Sequence, residues 1–222
     1  MGRATPRTPA AESGGVELTD SRQRRQSAPR ERVDAARNRA RVLAAAETLF
    51  REREPTSVTM EDIARAAGVG RATLYRRYPD VRSIAVALLD QHEYDLQEQL
   101  LRGDPPLGPG AAPAERLEAF YRAMVDLLER FGHLLRSAES GSARFATGAY
   151  GFWAAHVHAL LSEAGVPNPN QLVDVALAPL AAELYHLQRH ERQLTPDQIS
   201  DRLTWLARRI ASAPDDARST RP

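Results

Sequence analysis

The chain has 222 residues, 42% of them hydrophobic and 27% charged, which is enough to bury one or two sizeable cores without covalent staples. Cysteine is absent, so disulfides and thiolate metal sites are excluded, while a net charge of +1 excludes nothing by itself. No apolar segment follows the N-terminal arginines and no apolar run approaches the ~20 residues that span a bilayer, so a cytoplasmic chain without membrane contact is expected.

The near-neutral total hides a polar molecule. All 30 basic residues are arginine; residues 1–82 hold 17 of them against 11 acids, net +6, and residues 83–222 hold 13 against 18, net −5. A basic first third joined to an acidic remainder suits a protein of which one end meets a polyanion. Membrane headgroups would satisfy that charge as well as a nucleic acid, so the fold has to decide.

Residues 1–33 carry few large apolar side chains and scattered Pro, Gly and Ser, and are expected to be a disordered tail. Its arginines, among them Arg22, Arg24, Arg25, Arg30 and Arg32, are read as solvated. From Asp34 the pattern turns helical, with Val42, Leu43, Ala46, Leu49 and Phe50 on one face. Thr59, with Asp62 three residues on, predicts a capped second helix running to about Ala67. Gly68 supplies the left-handed residue that stops it, and Leu74 and Tyr78, four apart, give a third short helix an inner face.

Beyond Pro79 and Asp80, a long helix carries Val81, Ile84, Leu88, His92 and Leu96 on one stripe until GDPPLGPGAAPA. Another carries Leu117, Phe120, Tyr121, Met124, Leu127, Leu128, Phe131 and Leu135, and the segment FATGAYGFWAAHVHALLSEAG reads as more helix. After VPNPN, Val173, Leu177, Leu180, Leu184 and Leu187 alternate spacings of four and three, and Ile199, Leu203, Leu206 and Ile210 repeat that rhythm. No run of strand alternation appears, so the fold class is all-α. The expected organisation is a tail over 1–33, a helix-turn-helix domain over 34–82, a helical domain over 83–213 and a short tail over 214–222.

Two short helices joined by a tight glycine turn make a helix-turn-helix, whose second helix enters the DNA major groove. With Leu74 and Tyr78 turned inward, Arg71, Ala72, Thr73, Tyr75 and Arg76 face outward. Arginine bonds guanine bidentately, alanine and threonine methyls meet a thymine methyl, and threonine and tyrosine hydroxyls bind phosphate. Gly68-x-Gly70 is not a nucleotide loop, because no strand precedes it and no P-loop lysine follows.

The stretch VTMEDIARAAGVGRATLYRRYPD, Val58 to Asp80, resembles the DNA-binding segment of TetR-family transcriptional regulators. The preceding helix and the all-helical remainder have that family's layout, and the resemblance extends over about residues 35–211. It implies a regulator, expected to be a repressor, that binds a pseudo-palindromic double-stranded DNA operator as a homodimer and is released by a small-molecule ligand. Thr59 would cap the second helix near a phosphate with Met60 beside it, Gly70 would stand at the N-cap of the recognition helix among the DNA contacts, Arg71, Ala72 and Thr73 would meet bases, and Tyr75 and Arg76 would reach the backbone. Family members commonly have serine where this chain has Gly70, and many have a phosphate-binding lysine where it has Val81; Arg82, the next residue, is a candidate DNA contact.

The resemblance also implies an effector region and a dimer interface. Tyr94, Phe120, Tyr121, Met124, Phe131, Tyr150 and Trp153 lie on helices that surround the family's ligand pocket; each alone reads as core, and as a set they are consistent with an apolar cavity. The interface would use the seams Val173, Leu177, Leu180, Leu184, Leu187 and Ile199, Leu203, Leu206, Ile210. No cofactor, metal or catalytic activity is expected. His156 and His158 are two apart and diverge on a helix, His186 and His190 converge without a carboxylate motif, and no nucleophile motif surrounds any serine. The rival reading is a helical enzyme or interaction scaffold that uses its basic end for an acidic protein.

Overall fold

The computed structural model describes residues 17–53, 57–138 and 148–211, with side chains described from residue 33 onward and not over 133–147. The described residues are helical with no strand, as the periodicity requires. The chain forms two compact units, residues 1–79 and 80–222.

In the first unit, α1 (Glu17–Glu52) packs against α2 (Met60–Ala67), and α2 against α3 (Arg71–Arg77). Val42, Leu43, Ala46 and Leu49 of α1, Ile63, Ala64 and Ala67 of α2, and Leu74 of α3 form the core. α1 begins well before the expected Asp34, so residues 17–33 are helix rather than tail. Composition misleads there: Glu, Arg, Gln and Ala are good helix formers, and extending a nucleated helix avoids the cost of starting one. The expected tails over 1–16 and 214–222 lie outside the described residues.

The second unit opens with α4 (Val81–Arg102), whose cap is Asp80: its carboxylate accepts from the Ser83 amide at 2.7 Å. α5 (Pro113–Ala138) is the central element, packing against α4, α6 (Gly148–Glu163), α8 (Ala182–His186) and α9 (Pro196–Ile210), while α7 (Pro169–Leu177) lies on α6. Leu117, Phe120, Tyr121, Val125 and Leu128 of α5 meet Val157, Leu160 and Leu161 of α6 and Ile199, Leu203 and Ala207 of α9 in a continuous buried layer.

Distant polar ties hold that layer in register. Arg208 donates to both oxygens of buried Glu118 at 2.6 and 3.1 Å, fastening α9 to α5. Arg189 grips Glu129 through two hydrogen bonds of 2.8 Å, and the buried Tyr185 hydroxyl donates to the same carboxylate. Arginine, then burial in the opposite sense, sets the Glu129 carboxyl, which is held below the usual carboxylate range. The single helix expected from Val173 to Leu187 is broken. Ala178–Leu180 tightens to a 3-10 turn, Ala181 is extended, and the chain resumes as α8 and a π turn over Leu187–Glu191. Pro179 explains the break, since it has no amide to donate and its ring crowds the carbonyl four residues back.

Candidate nucleic-acid interface

The turn between α2 and α3 is built from local signals. Thr59 accepts from the Asp62 amide at 3.2 Å, and the Asp62 carboxylate accepts from the Thr59 amide at 3.2 Å and hydroxyl at 2.7 Å. These bonds from Thr59, aided by Arg53 at 3.9 Å and Arg65 at 3.4 Å, hold the Asp62 carboxyl below its ordinary range. At the other end Gly68 is left-handed (φ 59°, ψ 40°), with its amide bonded to Arg65 O and the Val69 amide to Ala64 O, a Schellman closure. Arg41 of α1 donates to the Gly68 carbonyl at 2.9 Å, and a Cβ at position 68 would stand 2.6 Å from that guanidinium nitrogen.

α3 starts from Gly70, which offers no side-chain cap; its carbonyl accepts from the Thr73 and Leu74 amides. Leu74, 1% exposed, and Tyr78, 5%, face inward as their spacing predicts. Arg71, Ala72, Thr73, Tyr75 and Arg76 are exposed together on the other side. Two members of that surface were not among the expected contacts. Arg77 is exposed too, with its guanidinium 5.9 Å from the Tyr78 ring centre, and Glu61 of α2 lies 3.7 Å from Arg71 and 3.4 Å from the Tyr75 hydroxyl. The arginine run already signalled Arg77; Glu61 needs the crossing of two helices and leaves no mark in the sequence. Met60 is corrected: it is 6% exposed, and its side chain packs in the core where no DNA could reach it. Thr59 is exposed, but its hydroxyl already donates to Asp62 and accepts from that residue's amide.

Residues 42–88 match the family of bacterial regulatory proteins called the tetR family. Over that segment the chain carries the DNA-binding region of the tetR family. It is 44% identical over 72 residues to the uncharacterized HTH-type transcriptional regulator Rv2250c of Mycobacterium tuberculosis, covering 32% of this chain and 38% of that one. To the HTH-type transcriptional regulator EthR of the same species it is 28% identical over 108 residues, 48% of this chain and 47% of that protein. These matches thus span less than half the length of either relative. The fold extends further: SCO4454, a TetR-family regulator from Streptomyces coelicolor, superposes with a TM-score of 0.59 at 19% identity over 79% of this chain and 95% of that one.

In the second unit the expected effector residues separate. Phe120, Tyr121, Met124, Phe131 and Trp153 are buried, and Phe120 stands 5.8 Å from Trp153 and 5.3 Å from His156 between ring centres. Tyr121 commits its hydroxyl to Ala176 O at 2.8 Å, so it joins α5 to α7. Tyr150, half-buried, donates to Asp174 at 2.7 Å. Tyr94 is 58% exposed and cannot line an enclosed cavity, since its place on α4 falls off the buried stripe of Ile84, Leu88 and Leu96. His156 has a buried Nε2 with no hydrogen-bond partner among the described residues, and burial, then Arg116, pushes its pKa down to about 4.

The expected seams are also divided. Val173, Leu177, Leu180, Ile199 and Leu203 are buried within the chain itself, while Leu184, Leu187, Leu206 and Ile210 are half-buried. For the first five the rhythm marks faces covered by this chain's own helices, while the other four keep part of their surface open. The exposed large apolar residues of that region are Val175 and Trp205, 58% and 61% exposed. His186 and His190 do converge, with ring centres 4.5 Å apart, and no cluster of three metal-ligating side chains occurs among the described residues. Arg82 is exposed in the first turn of α4 and Val81 is half-buried. No described helix is long and apolar enough to cross a membrane.

Proposed function

We propose that the chain is a DNA-binding transcriptional regulator, not an enzyme, that grips a pseudo-palindromic operator as a homodimer, represses from it, and lets go when a small molecule binds. The outward face of α3 carries this reading: Arg71, Ala72, Thr73, Tyr75, Arg76 and Arg77 are exposed on a helix anchored by buried Leu74, with base-reading and phosphate-binding groups side by side. Gly70 lets the backbone approach closely, and Arg82 adds a phosphate contact. The matched relatives are named as transcriptional regulators, which supports the same reading.

Gel shifts with a duplex that the protein enriches from a random-sequence library, against random duplex and across a salt series, test it. Arg71→Ala should cost ~1–3 kcal/mol on the enriched duplex and much less on random DNA, the worth of a bidentate base contact. Tyr75→Phe should weaken both by similar factors, since a phosphate bond favours every sequence alike. Salt-insensitive binding without preference for the enriched duplex would overturn the DNA reading.

For assembly, the exposed Val175 and Trp205 on α7 and α9 supply an apolar surface for a second copy, flanked by half-buried Leu206 and Ile210. Trp205→Glu should yield monomers by sedimentation with helix content retained; a monomeric wild type at micromolar concentration would sink the dimer. Leu180→Arg would not be a clean probe, because Leu180 is buried in its own chain. For release, Phe120 and Trp153 offer apolar surface beside the unpartnered His156 Nε2, with Met124 and Phe131 buried further along α5. Linkage then demands that operator DNA weaken ligand binding by the factor by which ligand weakens DNA binding, and calorimetry would read that factor directly.

A further inference from the structure

An acid stands against the exposed face of α3. Glu61 sits in the first turn of α2, inside the Thr59–Asp62 capping box that fixes that turn. Its Oε1 lies 3.7 Å from Arg71 Nη1 and accepts from the Tyr75 hydroxyl at 3.4 Å. Arg71 and Tyr75 are one helical turn apart, so a single carboxylate oxygen bridges the two along the exposed face of α3. All three are substantially exposed, with the Arg71 and Glu61 side chains at 69% and 37%, so the contact is open to competition from any other anion.

A carboxylate that holds an arginine and a tyrosine hydroxyl does what a DNA phosphate would do for the same pair. We propose that Glu61 is a specificity-determining residue: it acts as an internal substitute for phosphate, pre-orienting Arg71 while withholding charge from DNA that offers no correct base. The inference rests on the DNA-binding reading above. On random DNA, affinity is almost wholly electrostatic, so a fixed negative charge at the contact surface and a competitor for Arg71 lower it directly. On the operator the same repulsion acts, but a pre-oriented Arg71 reaches its base edge with less freedom to lose. Glu61 therefore weakens random binding more than operator binding, and the difference is discrimination.

The test is Glu61→Gln, which keeps shape and hydrogen-bonding capacity but removes the charge, assayed beside wild type on the library-enriched duplex and on random duplex over a salt series. Random-DNA affinity should rise, the log–log salt slope should steepen by up to about one, and the enriched-to-random ratio should fall by about two- to fivefold, the range for an exposed pair. In an Arg71→Ala background the same substitution should raise both affinities equally and leave the ratio unchanged, because there is no longer a base-reading group to orient. Circular dichroism melts exclude a folding defect, and Glu61→Ala checks that the effect follows the charge. A Glu61→Gln protein whose ratio matches or exceeds that of a discriminating wild type overturns the proposal while leaving the DNA reading intact. A wild type with no preference for the enriched duplex overturns both.

Discussion

The two units differ in how far apart in sequence their decisive contacts lie. In the first, Thr59 meets Asp62 three residues on and Val69 meets Ala64 within the same turn. In the second, Tyr121 bonds Ala176 across 55 residues, Glu129 meets Arg189 across 60, and Glu118 meets Arg208 across 90. The first unit sets two short helices against the long α1, and the ends of the short pair are specified on the spot while their functional groups point away from the core. The second is a large core whose polar groups hold helices in register. A mutation in the first should act locally and cost little stability; one in the second should be felt through the whole layer.

The largest expected effect belongs to the core. Phe120 is fully buried between Trp153, Tyr121 and His156, so Phe120→Ala should destabilise the second unit by ~3–5 kcal/mol, read by urea unfolding. A loss below ~1 kcal/mol would mean the layer is not packed as a unit. Next comes acid. His156 is neutral in the folded protein with its pKa lowered to about 4, against about 6.5 unfolded. Above the unfolded value both states are neutral and there is no penalty. As pH falls from there the unfolded chain takes up the proton first, so stability drops through this window and levels off below about 4, by on the order of 2–3 kcal/mol. His156→Gln should remove that slope, and an unchanged pH profile would refute it.

The turn of the first unit gives the smaller effects. Gly68→Ala forces an L-residue into the left-handed region and pushes on Arg41, which should cost ~1–2 kcal/mol in a thermal melt. Thr59→Ala removes only the cap and should cost ~1 kcal/mol. If Thr59→Ala proved costlier than Phe120→Ala, the contrast between locally and remotely specified units would be wrong.

Legibility in the sequence followed the same division. The capping box, the Gly68 stop and the inward pair Leu74 and Tyr78 were all readable, because each depends on residues within one or two turns. Met60 was misplaced because helix position says which residues are near a groove, not which are swallowed by the core. Val173, Leu177, Leu180, Ile199 and Leu203 show a further limit: a 3.5-residue rhythm announces that a face is covered but not by what, and here the cover is the chain itself. The break at Pro179 was visible as a residue and overridden by the leucines on either side. Tyr94 was grouped with the effector aromatics because it is aromatic, whereas burial follows the stripe. Glu61 was unreadable, since its role exists only once α2 and α3 cross.

The Arg41 contact has a consequence for motion. An exposed two-residue turn would ordinarily exchange its amide hydrogens with solvent as fast as a loose loop, opening without help from the rest of the fold. Here the Gly68 and Val69 amides are tied back to α2, and the carbonyl between them is held by the exposed Arg41 side chain of α1. The turn is therefore tethered from outside its own pair of helices, and opening it requires Arg41 to let go. Deuterium uptake at Gly68 and Val69 should rise in an Arg41→Ala variant while that of Ala46, sealed inside, stays as it was.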